Sequence, residues 1–139
     1  MTYRERILEK IQEARSSIQK VKKYLPESMD EFQKMDIQKD GIYKNIEFSI
    51  QAILDICFML VKEFDLGIPD EETGAFELLE RKKILSRKTV EKIADMRGFR
   101  NFLVHRYGNI DDETAFNNIK NGLGDFEEIF REMEKATEK

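Results

Sequence analysis

Residues 43–64 read YKNIEFSIQAILDICFMLVKEF. Within them Tyr43, Ile46, Ile50, Ile53, Cys57, Leu60 and Phe64 recur at steps of three and four. That is the repeat of one face of an α-helix, and no alternating pattern competes for a strand. The same repeat extends to both sides. Ile7, Ile11, Ala14, Ile18, Val21 and Leu25 form a stripe that Pro26 ends at about Leu25. Phe116, Ile119, Leu123, Phe126, Phe130 and Met133 form another, with Asp111 placed as its N-cap. Between them lie a short helix at about 71–82, with Phe76 and Leu79 inward, and a longer one at about 87–107, begun by Ser86 and ended by Gly108. Ser28-Met-Asp-Glu31 has the form of a capping box for a segment holding Phe32 and Met35. Gly41 then interrupts at about 1 kcal/mol relative to alanine, which predicts a kink or break there. Gly67 and Pro69 are placed to close the 43–64 helix. The expected fold is all-α, an antiparallel four- to five-helix bundle forming a single domain over residues 1–139.

Composition limits the function classes. The chain has 139 residues, 40% apolar, with seven Gly and two Pro, which is a folded globule long enough for a real core. The longest apolar run, Ile56–Val61, is far short of the ~20 residues that span a bilayer. The start, Met-Thr-Tyr-Arg-Glu-Arg, has no apolar signal core, so a cytoplasmic protein without a membrane is expected. One cysteine, Cys57, excludes an internal disulfide, and one histidine gives no metal-ligand spacing with it. Neither a metal nor another cofactor is expected. Net charge is −4, which by itself argues against a general nucleic-acid binder. Yet residues 81–106 hold nine Lys/Arg against Glu91 and Asp95, whereas residues 63–80 hold seven acids and no base. A basic stretch in an acidic chain is either a solvated helix face or a phosphate footprint.

That stretch ends in Arg-Asn-Phe-Leu-Val-His-Arg-Tyr, residues 100–107, which contains the sole histidine. An imidazole is the side chain that exchanges protons nearest neutrality, and a guanidinium grips phosphodiester oxygens with a planar fork of donors. At 3.6 residues per turn, Arg97, Asn101 and His105 share one face, and Arg100 shares another with Tyr107, the two pairs diverging by roughly 140°. Asn101 is then placed to orient His105 or to share a substrate oxygen. Arg100 can swing toward His105, or a two-fold homodimer can set one subunit's motif against the other's. Phe99, Phe102 and Leu103 should anchor the opposite side in the core. Arg106 falls near that apolar side, where a fraying helix or a snorkelling side chain would accommodate it. A lone histidine near a helix end also has a simpler reading, as a cap or a satisfied core group.

With helices and motif together, the chain resembles the HepT-like branch of the HEPN domains. The resemblance covers about residues 43–112: Leu-Gly-Ile-Pro-Asp (66–70), Ala-Phe-Glu-Leu-Leu (75–79), Met-Arg-Gly-Phe-Arg-Asn-Phe-Leu-Val-His-Arg-Tyr (96–107) and Ile-Asp (110–111). It implies the toxin half of a two-gene toxin–antitoxin pair, a metal-independent ribonuclease acting on RNA as a homodimer. It implies that Arg100 and His105 are the catalytic pair, and the shared helix face sets Asn101 and Arg97 in support. It further implies that Tyr107 accepts AMP from a cognate minimal nucleotidyltransferase antitoxin. There is one departure. Where members of the branch often carry Asn-His in the second long helix, this chain has Phe58-Met59. Asp55 is then the only charge between Glu47 and Lys62, expected to face the groove or a dimer seam. The alternative function is a non-catalytic module whose basic face holds a nucleotide or docks the nucleotidyltransferase. His105 separates the two, since a mere nucleotide holder has little need for a proton-transfer group.

Overall fold

A computed structural model describes residues 1–69, 72–105 and 109–139, with backbone only at 72 and 73. The described residues form six helices: α1 (Tyr3–Tyr24), α2 (Met29–Lys34), α3 (Ile37–Glu63), α4 (Glu72–Arg81), α5 (Arg87–His105) and α6 (Asp112–Ala136). No strand occurs among them. The four long helices are those of the expected bundle, and α4 is the expected short one. Helix α3 is its centre. Ile42, Ile46, Ile50, Ile53, Leu54, Ile56, Cys57, Leu60 and Val61 are all buried, on nearly every side of the helix. α1, α4 and α5 pack around it, and α6 closes the bundle against α1 and α5. A polar contact joins α1 to α3 between two small residues. Buried Ser49 donates its hydroxyl to the Ala14 carbonyl at 3.2 Å, which satisfies both polar groups where no water reaches.

The expected break at Gly41 lies elsewhere. The chain turns at Met35 and Asp36, and α3 begins at Ile37, so Gly41 sits within its second turn. The reason is Phe32. It is fully buried, packed edge-on to Tyr43 at 5.7 Å and tilted against Phe116 at 5.1 Å. Delivering that ring to the core needs a short helix with its own direction. Ser28 does cap this helix, accepting from the Glu31 N–H at 3.1 Å, but the Glu31 carboxylate takes the Ser28 hydroxyl and so the full reciprocal box is not made. A full capping box stands instead at Thr2 and Glu5.

Nor is Gly67 the residue that closes α3. The Leu66 N–H bonds to the Val61 carbonyl and the Asp65 N–H to the Lys62 carbonyl, with Asp65 left-handed at φ 51°. α4 ends in the same way: Ile84 bonds back to Leu79 and Lys83 to Glu80, with Lys83 at φ 58°. Both are Schellman ends carrying a side chain where glycine is usual. What drives the second is burial of Ile84 and Leu85 immediately after the turn.

A polar clamp joins α1 to α6. The Arg15 guanidinium bonds to Glu127 at 3.0 Å and to Glu134 at 2.7 Å, and lies over the Phe130 ring at 5.5 Å. Arg15→Ala is expected to lower the unfolding free energy by about 2 kcal/mol, from charged hydrogen bonds that are partly solvent-screened. Urea melts measure this. The hydrogen bond from Arg15 holds the Glu127 carboxyl below its ordinary 4.5. The contribution is therefore whole above about pH 4.5 and lost as pH falls through the depressed value, so wild type and Arg15→Ala should converge in acid.

Candidate active site

Helix α5 carries the basic motif, and its two ends are held differently. At its start, Ser86 caps the helix by accepting from the Thr89 N–H at 3.2 Å. Glu132 of α6 reinforces this start: its carboxylate accepts from the Ser86 N–H, from the Ser86 hydroxyl at 3.2 Å and from the Thr89 hydroxyl at 2.6 Å. One turn on, Lys92 pairs with Asp125 at 3.1 Å and with Glu128. Nothing in the sequence repeat distinguished Glu132 from the other acids of α6. Only its position opposite the start of α5 does so.

Beyond Ile93 the packing thins. Leu103 is buried, as expected, but Phe99 and Phe102 are only partly so, and their rings stack on each other at 6.0 Å. A helix with few buried residues over three turns leaves its remaining faces open for contacts outside the chain.

The four predicted site residues in this stretch are placed as follows. Arg97 lies with its guanidinium over the Phe76 ring of α4 at 5.5 Å, which steadies it against the neighbouring helix. Arg100 is half-buried. One of its terminal nitrogens donates to the Asn101 side-chain oxygen at 3.4 Å, and its Nε is buried with no hydrogen-bond partner among the described residues. A buried donor left unmade costs about 1–3 kcal/mol, so it points to an acceptor outside the described residues. Asn101 and His105 are exposed. The structure therefore joins Asn101 to Arg100, where the sequence paired it with His105. Arg100 and His105 are five residues apart, about 7.5 Å of helix rise. Arg106, Tyr107 and Gly108 lie outside the described residues, and with them the expected helix end and the expected modification site.

Asp55 is held along α3 and against α1. Its carboxylate takes the Gln51 amide at 2.8 Å and Lys10 of α1 at 3.6 Å. Phe58, which stands in the departure from the family pattern, is exposed instead, as is Phe48 on the same helix.

A second polar group, which the sequence reading missed, lies where α3 and α6 begin. The Tyr43 hydroxyl donates to one Asp112 oxygen at 2.6 Å and Lys39 to the other at 2.6 Å. Burial, then the Asp112 carboxylate, pushes the Tyr43 phenol well above its ordinary value. These residues border a cleft of about 650 Å³ that also touches Lys44, Leu103 and Ile110. With Phe32 stacked behind it, the group ties α2, α3 and α6 together at the end of the bundle where α5 finishes. Its signal in the sequence was slight, since Tyr43 was already assigned to the apolar stripe. Among the described residues no three of His, Cys, Asp and Glu gather as a ligand set for a metal, and no helix is long and apolar enough to cross a membrane.

The Ribonuclease HepT-like family pattern matches residues 14–133. The chain is 31% identical over 120 residues to a protein of Archaeoglobus fulgidus described as a putative RNase, covering 84% of this chain and 82% of that one. It is 25% identical over 91 residues to the mRNA nuclease HepT of Shewanella oneidensis, covering 66% and 68%. Its fold matches that of the tri-AMPylated Shewanella oneidensis HEPN toxin, solved in complex with its MNT antitoxin, with a TM-score of 0.80 at 22% identity over 93% of this chain and 96% of that one.

Proposed function

Because the chain belongs to the HepT-like ribonuclease family, we propose that it is an endoribonuclease, the toxin of a two-gene toxin–antitoxin pair, silenced when a cognate minimal nucleotidyltransferase transfers AMP to Tyr107. The observation that carries this reading is Arg100, with a buried donor lacking an acceptor among the described residues and an outer nitrogen held by Asn101, on the same helix as the exposed His105.

The chemistry follows from what these groups can do. His105 removes the proton from a ribose 2′-OH, and the freed oxygen attacks the adjacent phosphorus. The 5′-oxygen of the next nucleotide departs and takes up a proton, leaving a 2′,3′-cyclic phosphate and a 5′-hydroxyl. Arg100 donates to the phosphoryl oxygens as charge builds on them, and it gains more in that state than in the ground state. Asn101 holds the guanidinium in position. Arg97, fixed on Phe76, adds positive potential. Because the nucleophile belongs to the substrate, no step calls for a metal, and DNA lacks the attacking group.

The working unit is a homodimer. One His105 cannot serve as base and acid at once, and a second copy supplies the other group. Exposed Phe48 and Phe58 on α3, and the half-buried Phe99–Phe102 stack on α5, give a second copy apolar surface to cover. RNA and an AMP-donating antitoxin as partners support a cytoplasmic location.

The test is cleavage of single-stranded RNA in EDTA. Cleavage is expected to persist there, to leave cyclic phosphate ends and to spare DNA of the same sequence. Light scattering should return twice the chain mass at micromolar concentration. RNA bound but never cut by wild-type protein would favour the binding-module reading instead, and a stable monomer that cleaves at full rate would remove the second copy from the mechanism.

A further inference from the structure

The turn between α4 and α5 concentrates positive charge that the fold does not use. Residues 81–88 read Arg-Lys-Lys-Ile-Leu-Ser-Arg-Lys, five cations and no acid. Arg81, Lys82, Lys83, Arg87 and Lys88 are all exposed. Arg87 pairs with Glu91 one turn along, at 3.1 Å. The other four make no ion pair among the described residues. A sixth cation joins them, since the Lys139 ammonium donates to the Lys83 carbonyl at 2.8 Å.

Local helix energetics explain only one of these charges. Arg81 sits in the last turn of α4, where a cation is favoured. Arg87 and Lys88 sit in the first turn of α5, which holds no acid and where the helix dipole disfavours them. Lys83 occupies a left-handed position that glycine or asparagine would fill at lower cost. The anion that the start of α5 calls for is already supplied by Glu132.

The patch also has a direction. Arg87 and His105 are eighteen residues apart, five whole turns, so they lie on one line along α5, about 27 Å from end to end. Between them on that line stand Glu91, held by Arg87, then Ala94, Gly98 and Asn101. Gly98 is exposed, and nothing lies within 4 Å of where a Cβ would stand. The line therefore has low relief over its middle turns and a cation cluster at the end remote from His105.

From this juxtaposition we propose that the α4–α5 turn is a second phosphate-binding site, which holds single-stranded RNA whose scissile bond lies at His105. The proposal rests on the reading of RNA as substrate and extends it to the length of strand engaged. At about 3.4 Å per stacked nucleotide, the separation corresponds to roughly eight nucleotides, fewer if the strand is extended. A protein partner fits the patch less well. Protein interfaces depend on an apolar core with a few aromatic anchors. Here the turn's apolar residues, Ile84 and Leu85, are buried, and charge alone is presented. A nucleic-acid backbone binds well to charge alone, by releasing counterions.

The test is fluorescence anisotropy with a labelled 20-nucleotide RNA across a potassium chloride series, in a His105→Ala background that prevents cleavage. In the triple variant Arg81→Gln/Lys82→Gln/Lys83→Asn, the slope of log affinity against log salt should fall by about 2, at about 0.7 per phosphate contact. Affinity at 0.1 M salt should fall roughly 10- to 100-fold. Arg87→Gln/Lys88→Gln, at the helix start, should lower the slope by about 1.4. A control with the same charge change on α1, Lys20→Gln/Lys22→Gln/Lys23→Gln, should retain the parent slope. A parent slope in the α4–α5 variants, or an equal fall in the α1 control, would overturn the site. So would RNA binding like the parent's with loss of binding to a co-expressed nucleotidyltransferase, which would make the turn a protein contact. RNA binding that shows the expected slopes, in a wild-type protein that cuts no RNA, would retain this site and remove the catalytic reading.

Discussion

His105→Ala is expected to lower RNA cleavage by about 10²–10⁴-fold, the usual contribution of a positioned acid–base group. The side chain is exposed and bonds to no described residue, so its loss should leave stability within about 0.5 kcal/mol of wild type. Arg100→Ala should lower cleavage by about 10²–10³-fold, as for one donor to a developing oxyanion. Arg100 is half-buried, so its truncation also tests packing, and Arg100→Lys makes the sharper variant. Lysine retains the charge but loses the planar fork and the Nε donor. If the orphaned Nε is a phosphate ligand, lysine will not restore the rate. The two effects should not add, because both groups act on one transition state, and the double variant should lie close to the worse single one. Single-turnover rates with melting curves for each variant measure this. A folded His105→Ala protein cleaving at the wild-type rate would leave Arg100 as a binding group only.

The sequence reading succeeded where a single physical rule decided the outcome. The 3/4 stripes marked three of the four long helices, α1, α3 and α6, because burial of one face is what makes a helix of that length persist in water, whereas α5 was read from its cap at Ser86. Pro26 and the caps at Ser86 and Asp111 acted locally, and each was legible. The failures are positions where a distant partner outweighs a local rule. Gly41 was expected to break the chain, but the burial of Phe32 against Phe116 moved the break to Met35 and Asp36. The end of the 43–64 helix was assigned to Gly67 and Pro69, yet Asp65 takes the left-handed position, because Leu66 turns back onto the core. In the site, helical angles aligned Asn101 with His105. They carry no information on rotamers, and the structure gives the Asn101 oxygen to its neighbour Arg100. The tie of Tyr43 and Lys39 to Asp112 joins residues about seventy positions apart, and neither spacing nor composition encodes such a meeting.

Transfer of AMP to Tyr107 is expected to abolish RNA cleavage, and Tyr107→Phe to abolish the transfer while leaving the nuclease active. Tyr107 follows His105 by two residues. In the transfer, the phenol oxygen attacks the α-phosphorus of a nucleoside triphosphate and pyrophosphate leaves. The tyrosine then carries a phosphodiester and an adenine close in sequence to Arg100 and His105, the proposed catalytic pair. The new anion has the same chemistry as the group that Arg100 is proposed to bind, and the buried Nε offers it a donor without a competitor among the described residues. An attached ligand competes at an effective concentration that free RNA cannot match, so silencing needs no change of fold. Mass spectrometry of protein co-expressed with its nucleotidyltransferase should show adenylyl mass on wild type and none on Tyr107→Phe. The modified protein should also lose affinity for short RNA, which reaches only His105. Should the mass persist in Tyr107→Phe, the acceptor must be another tyrosine. Tyr43 is the poorest of these, being buried and bonded to Asp112, whereas Tyr24 is well exposed. Tyr24 ends α1, which makes few of the contacts that shape α5, so AMP on it would have no direct route to Arg100 and His105, and competition at the active site would no longer explain silencing.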